Sequence, residues 1–510
     1  MALYIPSHFQ WFSFPAIILP FLLLLLLMQR SKTGRALKFP PGPFHLPILG
    51  HLLHINLSLP HQSLWLLSTK HGPLMHLQLG VKPTVVVSSA RMAREVLKSH
   101  DHAFSHRPSL ISNRTLSYNF MDVAVSPDNS DYWKDMRKIL VRGLLSAKTV
   151  RSFRSIREEE VARMITSIHR SSSSPLQPVN LKEMLITLTN NIACITAFGK
   201  SYEGGSENEK AKMRGVLAEG AYLLNHLFIA DFLPWMWWID AGGGLYAKLR
   251  KSFLELDDLY EQIIKDHLDP KKPTPEREDF VDVFLRLQKD SRLTRDHLKG
   301  VMMNILFGGT DTSATVVAWG IVELLRSPRA MKKCQEEVRR IVGRKGKVEE
   351  DDLNRLQYIK SVIKETMRLH PPLTMLLPHE STQHCKIDGY DILPGTIVII
   401  NAWAIGKDPE SWENPDDFLP ERFMNSSIDY KGKDFELIPF GAGRRGCPGL
   451  HFAAPTMELA LATLLYCFDW KMPAGMSKED IDMTEAPGIT VFPKSNLSLV
   501  PTKYDYAFMD

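Results

Sequence analysis

Apolar side chains recur with a period near 3.6 over residues 150–168, Leu181–Phe198, 246–267 and Arg295–Arg326, the last closed by Pro328, and this spacing predicts helices. Two short runs rich in β-branched residues, 74–87 and 396–402, predict strands. The pattern is therefore mainly α with small β-sheets, an α+β body that reads as a single large domain over residues 51–510. No internal repeat interrupts it, and the serine run 171–174 before Pro175 reads as a surface loop.

Ahead of that body the chain carries no charge from Trp11 to Met28, a stretch of about 27 Å as a helix at ~1.5 Å per residue, just enough to cross a bilayer. Residues 11–28 are thus expected to be a transmembrane anchor helix behind a short luminal N-terminus, residues 1–10. The cations Arg30, Lys32, Arg35 and Lys38 follow the apolar run and no basic segment precedes it, which disfavours a cleaved signal peptide and places the bulk of the chain on the cytosolic side. Residues 29–50 form a basic, Pro-rich hinge, stiffened by Phe39-Pro40-Pro41-Gly42-Pro43.

The predicted helix Arg295–Arg326 would be about 48 Å long at ~1.5 Å per residue, and its largely apolar circumference suits the centre of a large domain. Its middle reads Gly308-Gly309-Thr310-Asp311-Thr312-Ser313. Each glycine there costs ~1 kcal/mol relative to alanine, and Thr, Asp and Ser are weak helix formers. Glycines let a flat ligand approach the backbone, and hydroxyls that bond back to carbonyls bend a helix open. A polar kink tolerated for packing is the alternative.

Composition narrows the chemistry. Apolar residues make up 44% of the chain and charged ones 23%, as in a globular protein, while 62 basic against 57 acidic side chains leave a net charge of +5, too balanced to argue for nucleic acid. The five cysteines are scattered, odd in number and without a CxxC pair, which argues against a disulfide framework and for a reducing compartment. Sequons at Asn56, Asn113, Asn425 and Asn496 would then be unglycosylated chance occurrences. Attention falls on Cys447, set among glycines and beside Arg444 and Arg445, ahead of an apolar helical stretch over 450–468. Backbone N–H groups of such a loop and the following helix N-terminus both favour a thiolate, and a thiolate bound to iron favours O–O cleavage.

The pattern Phe-x-x-Gly-x-Arg-x-Cys-x-Gly, filled by Phe440, Gly443, Arg445, Cys447 and Gly449, resembles the haem-binding loop of cytochromes P-450. The likeness covers nearly the whole chain and, through the Pro-Pro-Gly-Pro hinge, the stretch from Lys364 to Pro372 and the cysteine loop, resembles most the plant A-type microsomal branch. It implies the P-450 fold, with haem b (iron protoporphyrin IX) ligated by Cys447. Phe440, Arg445 and the Trp133/Arg137 pair would contact the haem, the last two at i, i+4 on one helix face toward one propionate. His379 stands where the family usually carries Arg, and an imidazole without permanent charge would make haem affinity slightly sensitive to pH. Glu365 and Arg368 match the E-x-x-R motif, completed by Arg422 as a buried triad. Asp311 and Thr312 match the acid and alcohol of the oxygen-activation motif, which deliver protons without flooding the site with water.

The resemblance further implies a monooxygenase in the endoplasmic reticulum membrane, its catalytic domain cytosolic, inserting one oxygen atom from O2 into a lipophilic small molecule. Electrons would come from NADPH through a flavoprotein reductase, with a cytochrome b-type protein as a second donor, and a basic surface around Arg444 would suit an acidic partner. Segments 110–124, 223–240 and 488–492 with residues near Gly308 and 373–377 would surround the substrate, among them Phe120, Gly308, Leu373, Leu376 and Val491. Trp235, Trp237 and Trp238 fit either that pocket or a surface dipping into membrane lipid. For the plant branch, substrates are specialised metabolites such as terpenoids, alkaloids and phenylpropanoid-derived compounds. A haem-thiolate isomerase or dehydratase acting on a peroxide, and a haem-based sensor, are the rival readings; Asp311 and Thr312 would be idle in both.

Overall fold

The computed structural model describes residues 37–127, 130–171, 177–201, 207–271, 277–289 and 293–505. The expected luminal segment, the anchor over 11–28 and the first part of the hinge lie outside the described residues. Among those described, the helices of eight residues or more are α1 Pro60–His71, α2 Asp131–Lys138, α3 Arg154–Ser171, α4 Leu181–Phe198, α5 Glu207–Asn225, α6 Leu245–Leu268, α7 Phe280–Lys289, α8 Arg295–Gly309, α9 Asp311–Arg326, α10 Pro328–Val342, α11 Gln357–Leu369 and α12 Leu450–Cys467.

Local chemistry sets several of these limits. The α4 helix begins where the Asn180 side chain accepts the Glu183 N–H, and it ends at Gly199 in the left-handed region, φ 71°, so its bounds coincide with the expected segment. The predicted helix over 150–168 is divided at Phe153, whose backbone at φ −89°, ψ 9° leaves the helix while its ring is buried; Ala147–Ser152, capped by Ser146, precedes the break. The long helix expected over Arg295–Arg326 is two helices, broken at Thr310 (φ −91°, ψ −69°).

Three small sheets accompany the helices. Strands β1 Leu74–Leu79 and β2 Lys82–Val87 form a hairpin where one strand run had been expected, turned at Gly80 (φ 55°). A Cβ at Gly80 would sit 2.1 Å from the Phe232 carbonyl oxygen, so only glycine lets residue 232 pack on the turn. With β3 Val179–Asn180, β4 His379–Glu380, β5 Cys385–Ile387, β6 Tyr390–Ile392, β7 Ile397–Ile400, β8 Phe468–Lys471 and β9 Ser498–Lys503, the sheet orders are β1-β2-β7-β4, β3-β9-β8 and β5-β6.

The core gathers around α9, where every residue from 313 to 324 is buried and α4, α11 and α12 pack against it. A second cluster joins α6 and α8 to α4 and α7. By length and composition Arg295–Arg326 and Leu450–Cys467 could cross a membrane, yet 67% and 61% of their apolar windows are buried inside the protein. They are core helices, apolar all round because protein surrounds them.

Candidate active site

The cysteine loop is closed by the Cys447 N–H, which donates to the Phe440 carbonyl at 2.8 Å. Gly441 and Gly443 are left-handed (φ 66° and 69°), and a Cβ at Gly443 would fall 2.5 Å from the Leu97 carbonyl oxygen, so the glycines of the motif answer both to backbone shape and to close packing. The Gly449 N–H points at Cys447 Sγ from 3.3 Å, and α12 starts at Leu450. The thiol has an open face. Burial of its other sides nevertheless pushes its pKa up, against the pull of the Gly449 N–H, Arg137 and the Leu450 N–H. The loop N–H groups and the start of the following helix thus act in the expected direction, toward the thiolate, while desolvation is the larger opposing effect.

Around this loop lies a concentration of positive charge. Arg445 is buried, donates to the carbonyls of Ser105 (2.6 Å) and Ser126 (2.9 Å), and stands 4.0 Å from the Trp133 ring centroid. Arg137 lies 5.6 Å from the same ring and donates to the Gly446 carbonyl at 2.6 Å. The indole N–H of Trp133 donates to the Val123 carbonyl at 2.9 Å, so Trp133, with its single donor taken, is the platform for two guanidinium groups rather than a propionate donor itself.

Arg107 was not singled out by sequence. It is buried, donates to the Leu377 (2.6 Å) and Pro378 (2.8 Å) carbonyls, and has its pKa lowered to about 9, first by burial and then by the charges of Arg445 and Arg137. A cation within the apolar-flanked stretch Phe104-Ser105-His106-Arg107-Pro108 was the available signal. The neighbouring acid is Asp122, fully buried, whose own ionisation is opposed by burial and whose Oδ1 has no hydrogen-bond partner among the described residues. Three buried or half-buried arginines against one such acid leave net positive charge, which fits the two carboxylates of a haem edge.

His379 fits that role poorly. Burial and the charge of Arg107 hold its pKa well below the usual histidine value, and its Nδ1 lies 2.7 Å from the Phe104 carbonyl and donates to it. A neutral ring donating through Nδ1 presents an acceptor at Nε2, so a contact from His379 to a carboxylate requires a proton on that nitrogen. Arg444 is paired with Asp101 at 3.1 Å, which compensates the charge expected to attract an acidic partner.

On the central helix, Gly308 is exposed although residues 297–303 and 313–324 are buried, and a Cβ added to it meets nothing within 4 Å. The Thr310 hydroxyl donates to Leu306 O at 2.8 Å and the Thr312 hydroxyl to Gly308 O at 2.9 Å, consistent with back-bonding that opens the helix. Burial pushes the Asp311 carboxyl pKa up. Asn304, one turn before Gly308, accepts the Val123 N–H (3.0 Å) and donates to Asp122 Oδ2 (3.0 Å), while Val123 O receives Trp133. Segment 122–126 thus joins the oxygen-motif helix to the arginines beside Cys447.

Glu365 and Arg368, 0% and 1% exposed, form a bidentate pair at 2.7 and 2.8 Å, and Arg422 Nε reaches Glu365 at 2.9 Å. Of the expected substrate residues, Leu373 and Leu376 are half-buried and Phe120 has φ 68°. Val491 is buried, its N–H donated to Pro372 O and its carbonyl accepting from Trp319. Phe440 packs 5.5 Å from the Tyr430 ring. Trp235, Trp237 and Trp238 are 52%, 57% and 59% exposed, outside any packed pocket.

A family model described as Cytochrome P450 matches residues 40–500. The chain belongs to the cytochrome P450 family. Among its relatives are strychnine-11-hydroxylase of Strychnos nux-vomica (47% identical, covering 99% of both chains) and 2-methylbutanal oxime monooxygenase of Manihot esculenta (43%, covering 98% of both). Cytochrome P450 71A9 of Glycine max is 47% identical over 96% of this chain and 98% of its own. A zebrafish cytochrome P450 solved with abiraterone shares the fold, with a TM-score of 0.73 and 26% identity over 88% of this chain and 100% of that one. The chain is thus a plant A-type cytochrome P450 monooxygenase that uses haem with O2 and NADPH-derived electrons passed on by a reductase, and the isomerase, dehydratase and sensor readings fall away. Its plant relatives are membrane-bound enzymes.

Proposed function

We propose that this P450 oxygenates a lipophilic specialised metabolite at a haem held by Cys447 on one face and served by Asp311 and Thr312 on the other. The observation that carries the assignment is the undercompensated group Arg107, Arg137 and Arg445 beside an open-faced cysteine. Arg107, Arg137 and Arg445 would take the propionates; Trp133 holds Arg445 and Arg137 in place. Haem supplies the iron at which dioxygen is activated. Asp311, with its raised pKa, retains a proton at higher pH than an exposed carboxyl and can pass it to Thr312, whose hydroxyl oxygen is free to accept while it donates to Gly308 O. Gly308 is exposed between buried turns, so a flat group bound over it would close the proton path to bulk water.

The likeness to strychnine-11-hydroxylase supports a polycyclic, apolar metabolite such as an alkaloid. Residues 11–28 would anchor the chain once in the endoplasmic reticulum membrane, with the haem domain cytosolic. The exposed Trp235, Trp237 and Trp238 support a second contact with the lipid interface, where indoles partition.

Microsomes carrying the protein and a reductase, given NADPH, labelled dioxygen and a metabolite panel, test the reading. One labelled oxygen atom per product is expected. Turnover without NADPH, or a Cys447→Ala variant that keeps the reduced, carbon-monoxide-bound spectrum of a thiolate haem, would refute it.

A further inference from the structure

A buried lysine held by two half-buried carboxylates lies outside the chemistry assigned above. Lys299 of α8, 5% exposed, reaches Asp257 Oδ1 at 2.5 Å and Glu261 Oε1 at 2.7 Å, two carboxylates one turn apart on α6. A buried cation persists only with such partners. The same Asp257 Oδ1 accepts the Tyr118 hydroxyl at 2.7 Å, and Lys299 Nζ stands 5.4 Å from the centre of the Tyr118 ring. Three segments therefore meet at one carboxylate: the central helix, α6, and the chain that follows the short helix Ile111–Leu116.

That chain is strained. Tyr118, Asn119 and Phe120 have φ of 55°, 58° and 68°, and no other non-glycine residues adjacent in the described chain share the left-handed region. L side chains avoid it, and a run of such residues survives only where its surroundings impose it. Local bonds supply part of the constraint: Asn119 N–H to Arg114 O at 2.8 Å, and Phe120 N–H to Ser117 Oγ at 3.0 Å. The central helix supplies another part. Gly300 leaves room for Met121, whose carbonyl oxygen would lie 2.2 Å from a Cβ there, and Asn304 holds Val123 and Ala124. Tyr118 is the tether to α6, a helix that packs on α5, on Ile111–Leu116 and on α8.

Resting on the haem reading above, we infer that Asp257 and Lys299 are positioning residues that act through Tyr118. They clamp the Tyr118–Phe120 turn between α6 and the part of the central helix leading to Gly308, and so limit the size of ligand admitted to the oxygen side. Strained segments held by a few polar contacts are natural gates, since loss of one contact releases the stored conformation.

The test uses the haem-loaded enzyme and stopped-flow detection of the Soret red shift as an azole nitrogen binds iron, with imidazole as the small probe and clotrimazole as the bulky one. Tyr118→Phe removes only the hydroxyl. It should speed clotrimazole association by about tenfold, the effect of losing one hydrogen bond to a charged group, with imidazole within about twofold of wild type. Asp257→Asn should do the same, and the double variant should be no faster than either single one, as for residues acting in one contact. An unchanged clotrimazole rate in Tyr118→Phe, or an equal acceleration of imidazole, would overturn the inference. A wild-type enzyme that showed no red shift with imidazole would instead strike at the haem reading beneath it.

Discussion

Removing Arg368 should abolish folding rather than slow the chemistry. Its guanidinium makes two bonds to Glu365 and donates to the carbonyls of Gly406 (2.6 Å), Pro415 (2.6 Å) and Asp417 (2.9 Å). Breaking a buried ion pair from one side costs roughly 3–5 kcal/mol, because the survivor is an uncompensated buried charge. Each orphaned carbonyl adds about 1 kcal/mol or more where water cannot reach it. The total, about 6 kcal/mol or more, is comparable to the whole stability of a domain, ~5–15 kcal/mol. Arg422→Ala should be far milder, ~1–2 kcal/mol, since its side chain is 13% exposed and Glu365 keeps its bidentate partner and the Leu419 N–H. Yield of the reduced carbon-monoxide spectrum, with thermal melting of whatever purifies, ranks the variants. An Arg368→Ala protein that bound haem and melted within a few degrees of wild type, or an Arg422→Ala protein that fared worse, would refute the reasoning.

Thr312→Ala should keep consuming NADPH but release more peroxide, with product per NADPH down about tenfold or more; tight coupling would remove Thr312 from the proton path. Arg107→Ala should lose haem to apomyoglobin about tenfold faster through loss of a charged propionate contact, whereas His379→Gln should change haem retention little between pH 6 and 8. Acid should destabilise the β1 sheet through His76, whose pKa burial lowers from 6.5 to about 4. Its neutral form is kept by the fold, so the contribution is intact above pH 6.5 and is lost as pH falls from 6.5 toward 4, where the unfolded chain alone binds the proton; the full loss is ~3 kcal/mol. Denaturant titrations of wild type and His76→Gln across that window should show the acid loss shrinking in the variant, and equal losses would exclude His76 as its source.

Much of the architecture was legible without coordinates. The helix Leu181–Phe198 could be read to the residue because periodicity, an Asn cap and a terminal glycine all act locally. The same holds for the motif residues: a loop that must turn at Gly441 and Gly443 has to spell that need in its sequence. The break at Thr310 was foreshadowed by its weak helix formers, though its position was not, since it depends on which hydroxyls find carbonyls.

What sequence alone determined is the family and its motifs: the Cys447 loop, Asp311 and Thr312, and the spacing of Glu365 with Arg368 are written in short patterns that one helix or loop presents together. Tertiary structure decided the rest. Arg107, 340 positions from Cys447, joins the site only because the tertiary packing buries it beside Arg445 and Arg137, and that burial and like charge lower its pKa to about 9. It decided too that His379 is neutral, that the Cys447 thiol is held up by desolvation, and that Tyr118 meets Asp257 and Lys299. Desolvation and through-space charge depend on which distant segments pack together, and no local pattern encodes that.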